Sequence, residues 1–193
     1  MNRGFSLEAD FSELIENLNL FRNQISRIEE CGKIAANSLL EGGTLFFCGN
    51  GGSAADSQHW AAELTGRFLF ERKSISAVAL TVDTSAITAI GNDFGFEQIF
   101  SRQLLGLARP NDVLVGITTT GNSRNVVEAA KAMKSIGGKV IAFSGPTRGA
   151  IEDHADGVIN CPGSRTDLIQ DIQVLLGHSF CKVVEQLVVE NTK

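Results

Sequence analysis

The sequence predicts an α/β fold: a doubly wound, parallel five-stranded sheet flanked by helices, with long N-terminal and C-terminal helices. Two observations carry this. Short runs rich in Val, Ile, Ala and Phe recur without polar alternation, as strands buried on both faces do. Residues at helical spacing follow these runs, and strands alternating with helices imply a parallel sheet with crossover connections. The glycines agree, because they cluster at the ends of the apolar runs, where turns are needed.

Residues 7–41 carry Phe11, Leu14, Ile15, Leu18, Phe21, Ile25 and Ile28 at helical spacing, then Ile34 to Leu40. Gly42-Gly43 stops this region, which reads as one long or two shorter amphipathic helices. Such an N-terminal arm packs either on its own domain or on a partner subunit. "TLFFCG" is the first strand, "SAADSQHWAAELTGRF" a helix and "SAVALTV" the second strand. "TSAITAIGNDFGFEQIFSRQLLGL" reads as helical material on both sides of a Gly-Asn-Asp turn at 91–93. "DVLVGIT" is the third strand and "SRNVVEAAKAMKSI" an amphipathic helix, with "KVIAFSG" and "GVINCP" as strands four and five. "DLIQDIQVLLGHSFCKVVEQLVVENT" closes the chain as an apolar helix of about seven turns. No linker, low-complexity tract or strict repeat divides residues 1–193, so they read as a single domain.

A formal charge of −5 argues against a nucleic-acid or anionic-membrane surface. No apolar run is read as approaching the roughly 20 residues that span a bilayer. The start, "MNRGFSLEADFSELIENL", lacks the unbroken apolar core of a signal peptide, so a cytoplasmic location is expected. Cys31, Cys48, Cys161 and Cys181 form no C-x-x-C pair and read as buried thiols.

Two strand ends look alike. "CGNGGSAAD" places Asn50, Gly51, Gly52 and Ser53 between a strand and a helix start, and "GITTTGNSRN" does the same with Thr118, Thr119, Thr120 and Ser123. Free backbone amides and the positive end of the helix dipole make that position an anion site, and a helix cap is the plainer alternative. Neither stretch is a P-loop, since no Gly-Lys-Ser/Thr follows, and neither is G-x-G-x-x-G. Hydroxyl and amide donors instead suit a phosphate monoester. On the helix grown from the first loop, His59 and Glu63 share a face with Asp56 and Arg67 near it, while Ala55, Ala61, Ala62 and Leu64 are assigned to the core. Glu63 stands roughly 15 Å along the helix from the anion loop. That span suits a longer sugar chain or a site shared between subunits. On the last helix, His178 follows Gln170 and Asp167. These read equally as a satisfied core cluster, an acid/base pair or zinc ligands, whereas His154 in "EDHADG" reads as surface.

"CGNGGSAADSQHWAAELTGRF", "AIGNDFGFEQIFSRQL", "DVLVGITTTGNSRNV" and "DLIQDIQVLLGH" together strongly resemble the sugar isomerase (SIS) domain family, in its branch acting on sedoheptulose 7-phosphate. The resemblance runs from about Leu40 to His178, and the N-terminal arm fits it. It implies a flavodoxin-like SIS fold and isomerisation of that ketose phosphate to the aldose through an enediol, early in bacterial heptose biosynthesis. By the resemblance, Ser53, Thr118, Thr119, Thr120 and Ser123 grip the phosphate, and Asn50, Gly51 and Gly52 line the first loop. Arg67, Asn92, Asp93, Asp167 and Gln170 surround the sugar; Glu63 is general base and His178 general acid. Zn2+, one per subunit, falls to His59, Glu63, Gln170 and His178, with no nucleotide or redox cofactor. A homotetramer with sites between subunits is implied, the arm of residues 1–41 serving its packing. The loop departs from the family's usual Ser-Thr-Ser with Thr-Thr-Thr. Arg124 and Asn125 are similar to non-catalytic relatives that bind the replication initiator DnaA, which keeps a phosphosugar-responsive interaction protein as the alternative.

Overall fold

The computed structural model describes residues 6–192. Two helices open them, α1 (Leu7–Phe21) and α2 (Ile25–Leu40), joined by a 3-10 turn at Arg22–Gln24. Ser6 caps α1 through its hydroxyl, which accepts from the Ala9 amide at 3.3 Å. The five strands are β1 (Leu45–Gly49), β2 (Ala77–Ala79), β3 (Val113–Ile117), β4 (Lys139–Ser144) and β5 (Gly157–Asn160). All pair in parallel, in the order β2-β1-β3-β4-β5.

Side-chain direction alternates along each strand, so one strand feeds two cores. Leu45 and Phe47 of β1 join Val113, Val115, Ile141 and Phe143 on the face covered by α2, α3 (Gly52–Thr65) and α7 (Thr166–Asn191). Phe46 and Cys48 join Leu114, Val140 and Ala142 on the opposite face, beneath α5 (Ser101–Leu107) and α6 (Arg124–Ile136), with Ile87 and Ile90 of α4 (Thr84–Phe94) packed against it. Every residue of β1 and β3 is buried, which is why neither shows polar alternation in the sequence.

Three expectations need correction. Gly91, Asn92 and Asp93 lie inside α4; the break comes later, at Gly95, before a 3-10 turn at Phe96–Gln98. Ala55 and Ala62 are exposed, and the core face of α3 is built instead from Ser53, Asp56, Ser57, Trp60, Ala61 and Leu64. The reading that no segment is long and apolar enough for a bilayer also fails for α7, which among the described residues passes by length and composition. Its apolar row is committed to packing: Leu168, Ile172, Leu176, Phe180 and Val184 recur every four residues and are buried.

The four cysteines are free and buried, as expected. Burial pushes all four thiols up, Cys31 to about 12, so they stay protonated and unreactive.

Candidate functional site

Gly49 and Ile117 are register partners at the ends of β1 and β3. The chain leaves the sheet from these neighbours towards opposite faces, into α3 and α6, and such a reversal opens a crevice at the carboxyl ends of the strands. The two phosphate-suited loops therefore start side by side. Gly51, ahead of α3, has φ +57° and ψ −121°, a backbone state that a side chain would strain. Gly121 has φ +69° and packs on Gly149, whose Cα would stand 2.7 Å from an added Cβ. Both loops are thus shaped by backbone that only glycine fits.

The loops are tied to each other. Asn50 Nδ2 donates to Asn125 Oδ1 at 2.9 Å, and Asn125 Nδ2 donates back to Asn50 Oδ1 at 2.7 Å. Asn125 is buried in the first turn of α6, so this reciprocal amide pair explains its place after the loop. The Thr118 and Ser123 hydroxyls lie 2.9 Å apart. Ser123 stands at the N-cap of α6, yet its side chain makes no capping bond. Thr120 is exposed, its hydroxyl accepting from the Asn122 amide at 3.2 Å, and Thr119 is half-buried. Ser53 is buried in the first turn of α3. The first amides of α3 and α6 have no carbonyl a turn behind them, so each helix start offers free backbone donors close to these hydroxyls.

The chemistry-bearing side chains meet further along α3. His59 Nε2 lies 3.2 Å from Glu63 Oε1, and His178 Nε2 lies 3.2 Å from His59 Nε2. The two imidazoles meet edge to face, with centroids 4.8 Å apart. Phe68 stacks on His178, its ring tilted by 9° with centroids 5.7 Å apart. Asp56 lies buried nearby. Burial raises its carboxyl above the ordinary range, while the charges of His59 and His178 pull it down. α3 and α7 approach closely enough to join these groups because Gly177, beside His178, lies on the Trp60 ring.

His59, Glu63 and His178 each offer one ligand atom, and these atoms lie within 4.8 Å of one another. Tetrahedral ligands about 2.0–2.1 Å from zinc stand roughly 3.3–3.4 Å apart. The two spacings that run through His59 Nε2, 3.2 Å each, are close to that value, while Glu63 and His178 lie within 4.8 Å of each other; three protein ligands leave a position open. Gln170, two turns before His178, lies instead over Gly52, where an added Cβ would come within 2.9 Å of its amide. Among the described residues, no hydrogen bond joins Gln170 to the three.

The remaining candidates face other partners. Arg67 is largely exposed and pairs with Glu71 at 3.2 Å. Asn92 donates to Asp93 at 2.8 Å, both exposed at the end of α4. Arg165 holds Asp167 at 2.6 Å, bringing its carboxyl down to about 2, and also grips Asp10 of α1. His154 is half-buried in a 3-10 turn, not plain surface.

Sequence reasoning missed one buried ion pair, Arg72 with Glu185 at 2.8 Å. Glu185 also accepts from the amides of Phe68 at 3.1 Å, Leu69 at 2.7 Å and Phe70 at 3.3 Å. Arg72 Nη2 donates to the Glu63 carbonyl at 2.9 Å. Glu185 falls on the buried Gly177–Cys181 row of α7, where a carboxylate needs a cation, a signal that emerges once the packed face of α7 is known.

Comparison with known proteins agrees with this geometry. A model of the SIS domain matches residues 9–145. A phosphoheptose isomerase of Akkermansia muciniphila is 44% identical over 173 residues, covering 90% of this chain and 92% of that protein. Among solved structures, phosphoheptose isomerase from Neisseria gonorrhoeae superposes with a TM-score of 0.87 at 42% identity, covering 93% of this chain and 97% of that one. The enzyme from Francisella tularensis gives 0.84 at 34% identity, over 93% and 94% of the two chains.

Proposed function

Since the chain belongs to the SIS domain family and is a phosphosugar isomerase within it, we propose that it converts sedoheptulose 7-phosphate to the corresponding aldose phosphate through an enediol. The observation that carries this is the convergence of Glu63, His59 and His178 on one flank of α3, beyond the paired loops at its start. A ketose with its phosphate at the far end of seven carbons has the length this arrangement asks for. Ser53, Thr118, Thr119, Thr120 and Ser123 hold the phosphate, with Asn50, Gly51 and Gly52 shaping the first loop.

Glu63 removes a proton from C1 of the ketose. The electron pair forms the C1–C2 double bond of the enediol, and the carbonyl oxygen at C2 gains a proton from His178. Return of a proton to C2, with loss of the O1 proton, completes the aldose. A zinc ion held by His59, Glu63 and His178, with Gln170 brought in from above, would polarise the substrate oxygens when bound. No redox step is needed, because the hydrogen count of the substrate is unchanged.

The tetramer belongs to the same proposal. Leu7, Phe11 and Ile15 form an exposed apolar row on α1. α4 buries no residue completely, and Phe94 and Phe96 are exposed at its end. Association through these surfaces brings Arg67, Asn92, Asp93 and Asp167 to the sugar from neighbouring subunits. A coupled assay with sedoheptulose 7-phosphate tests the roles. Turnover should disappear in Glu63→Gln and His178→Gln, and in parent protein treated with a chelator until Zn2+ is restored. Retained turnover in both variants would remove the acid/base assignment.

A further inference from the structure

We propose that Phe68 is a positioning residue for His178, held in place by the buried Glu185–Arg72 pair. The inference rests on the acid role of His178 given above and adds the part of the fold that aims its imidazole.

A histidine ring turns on a terminal torsion with broad, shallow preferences, so its neighbours set its direction. His178 is half-buried and has two ring neighbours. His59 meets it edge to face, at an interplanar angle of 82°. Phe68 lies nearly parallel to it, at 9° and 5.7 Å between centroids, the offset-stacked arrangement that aromatic rings favour. Phe68 thus borders the imidazole with its plane aligned to it, while Nε2 lies 3.2 Å from His59 Nε2.

Phe68 can do this only if its own backbone is fixed, and it lies in the irregular segment after α3. Such a segment on a surface is ordinarily mobile. Here Glu185, with no solvent exposure, takes the Phe68 amide and Arg72 Nε on one carboxylate oxygen, at 3.1 and 2.8 Å. Its other oxygen takes the Leu69 and Phe70 amides at 2.7 and 3.3 Å. Arg72 reaches back to the carbonyls of Glu63 at 2.9 Å, Gly66 at 3.3 Å and Lys73 at 3.0 Å. One buried ion pair thus joins three things: the last turn of α3 carrying Glu63, the segment carrying Phe68, and α7 carrying His178. The base and the acid stand on different helices, and this pair fixes both to one frame.

Displacing a catalytic group by about 1 Å costs up to about 100-fold in rate. Phe68→Leu, which keeps apolar bulk but removes the ring, should lower kcat about tenfold with KM within about twofold. Phe68→Tyr and Phe68→Trp, which keep a stacking face, should stay within about threefold of the parent. The chain has only three histidines, so their imidazole proton resonances can be assigned by NMR from single His→Gln variants. The His178 resonances should lie upfield from the ring current of Phe68 and move downfield in Phe68→Leu, while those of His154 stay put. A structural role alone would lower the folded fraction without splitting kcat from KM and without rescue by Tyr or Trp. Inactive His178→Gln beside Phe68→Leu at the parent's rate would overturn this inference and leave the acid role standing. His178→Gln at the parent's rate would overturn the acid role and this inference with it.

Discussion

Replacing Asn125 by alanine should weaken phosphate binding more than it slows chemistry. The Asn125 amide makes two hydrogen bonds with the Asn50 amide, at 2.9 and 2.7 Å, across the gap between the two loops. Each such bond contributes a net 0.5–1.5 kcal/mol, roughly, so removing both costs about 1–3 kcal/mol. The Asn50 amide, left without its partner in a half-buried place, pushes the cost to the upper part of that range. If about half of it falls on the bound state, affinity for the sugar phosphate drops about tenfold. Glu63 and His178 lie towards the other end of α3, so kcat should stay within about threefold. Asn125→Asp should bind worse than Asn125→Ala, although it is nearer in shape. It keeps one bond, sets two oxygens against each other where the second was, and adds negative charge beside a phosphate. Calorimetric titration with substrate, paired with steady-state kinetics, measures both effects. An Asn125→Ala protein that binds within twofold of the parent, or loses kcat with KM unchanged, would refute the idea that the amide pair assembles the anion site.

Other substitutions probe the frame around the site. A Cβ at Gly177 would collide with the Trp60 ring, so Gly177→Ala should cost about 1–3 kcal/mol in urea unfolding and reduce turnover by displacing His178. Arg72→Met leaves the Glu185 carboxylate buried without its cation, and should cost about 3–5 kcal/mol by the same measurement. Asp56→Asn tests the sign of a proton linkage. Burial raises the folded-state pKa of Asp56, so the folded chain binds this proton more tightly than the unfolded chain does. Stability from this group is present at and below the unfolded carboxylate value of about 3.9, and declines as pH rises through the raised folded value. Asp56→Asn should therefore raise the unfolding midpoint at pH 7 and leave it near the parent's at about pH 4. An equal shift at both pH values would contradict the assignment.

The sheet was legible because β1 and β3 are buried on both faces, which leaves unbroken apolar runs bounded by glycines. The order of its strands is also that of the flavodoxin-like fold the family resemblance implied. The turn at Gly91–Asp93 was misread because a glycine inside a helix has the same local signature as a break; only packing within α4 distinguishes them. The two glycine- and hydroxyl-rich loops could be placed between strand and helix from residues 50–53 and 118–123, since their turn chemistry is local. The meeting of His59 with His178 came only through the family resemblance, because it spans 119 positions and depends on α3 and α7 lying side by side. The Arg72–Glu185 pair, 113 positions apart, was hidden for the same reason. Its signal was a charge on a buried helical row, and a row of that kind is visible only once the packed face is known.

The central claim is that Glu63 moves a proton between C1 and C2 of the ketose phosphate. Turnover of sedoheptulose 7-phosphate in D2O, followed by NMR of the product, tests it most directly. A carboxylate that exchanges its proton with solvent predicts deuterium at C2 of the aldose with the parent protein, and neither product nor exchange at C1 of the ketose with Glu63→Gln. Product carrying deuterium at C2 and formed by Glu63→Gln at the parent's rate would take the proton transfer away from Glu63 and contradict the account.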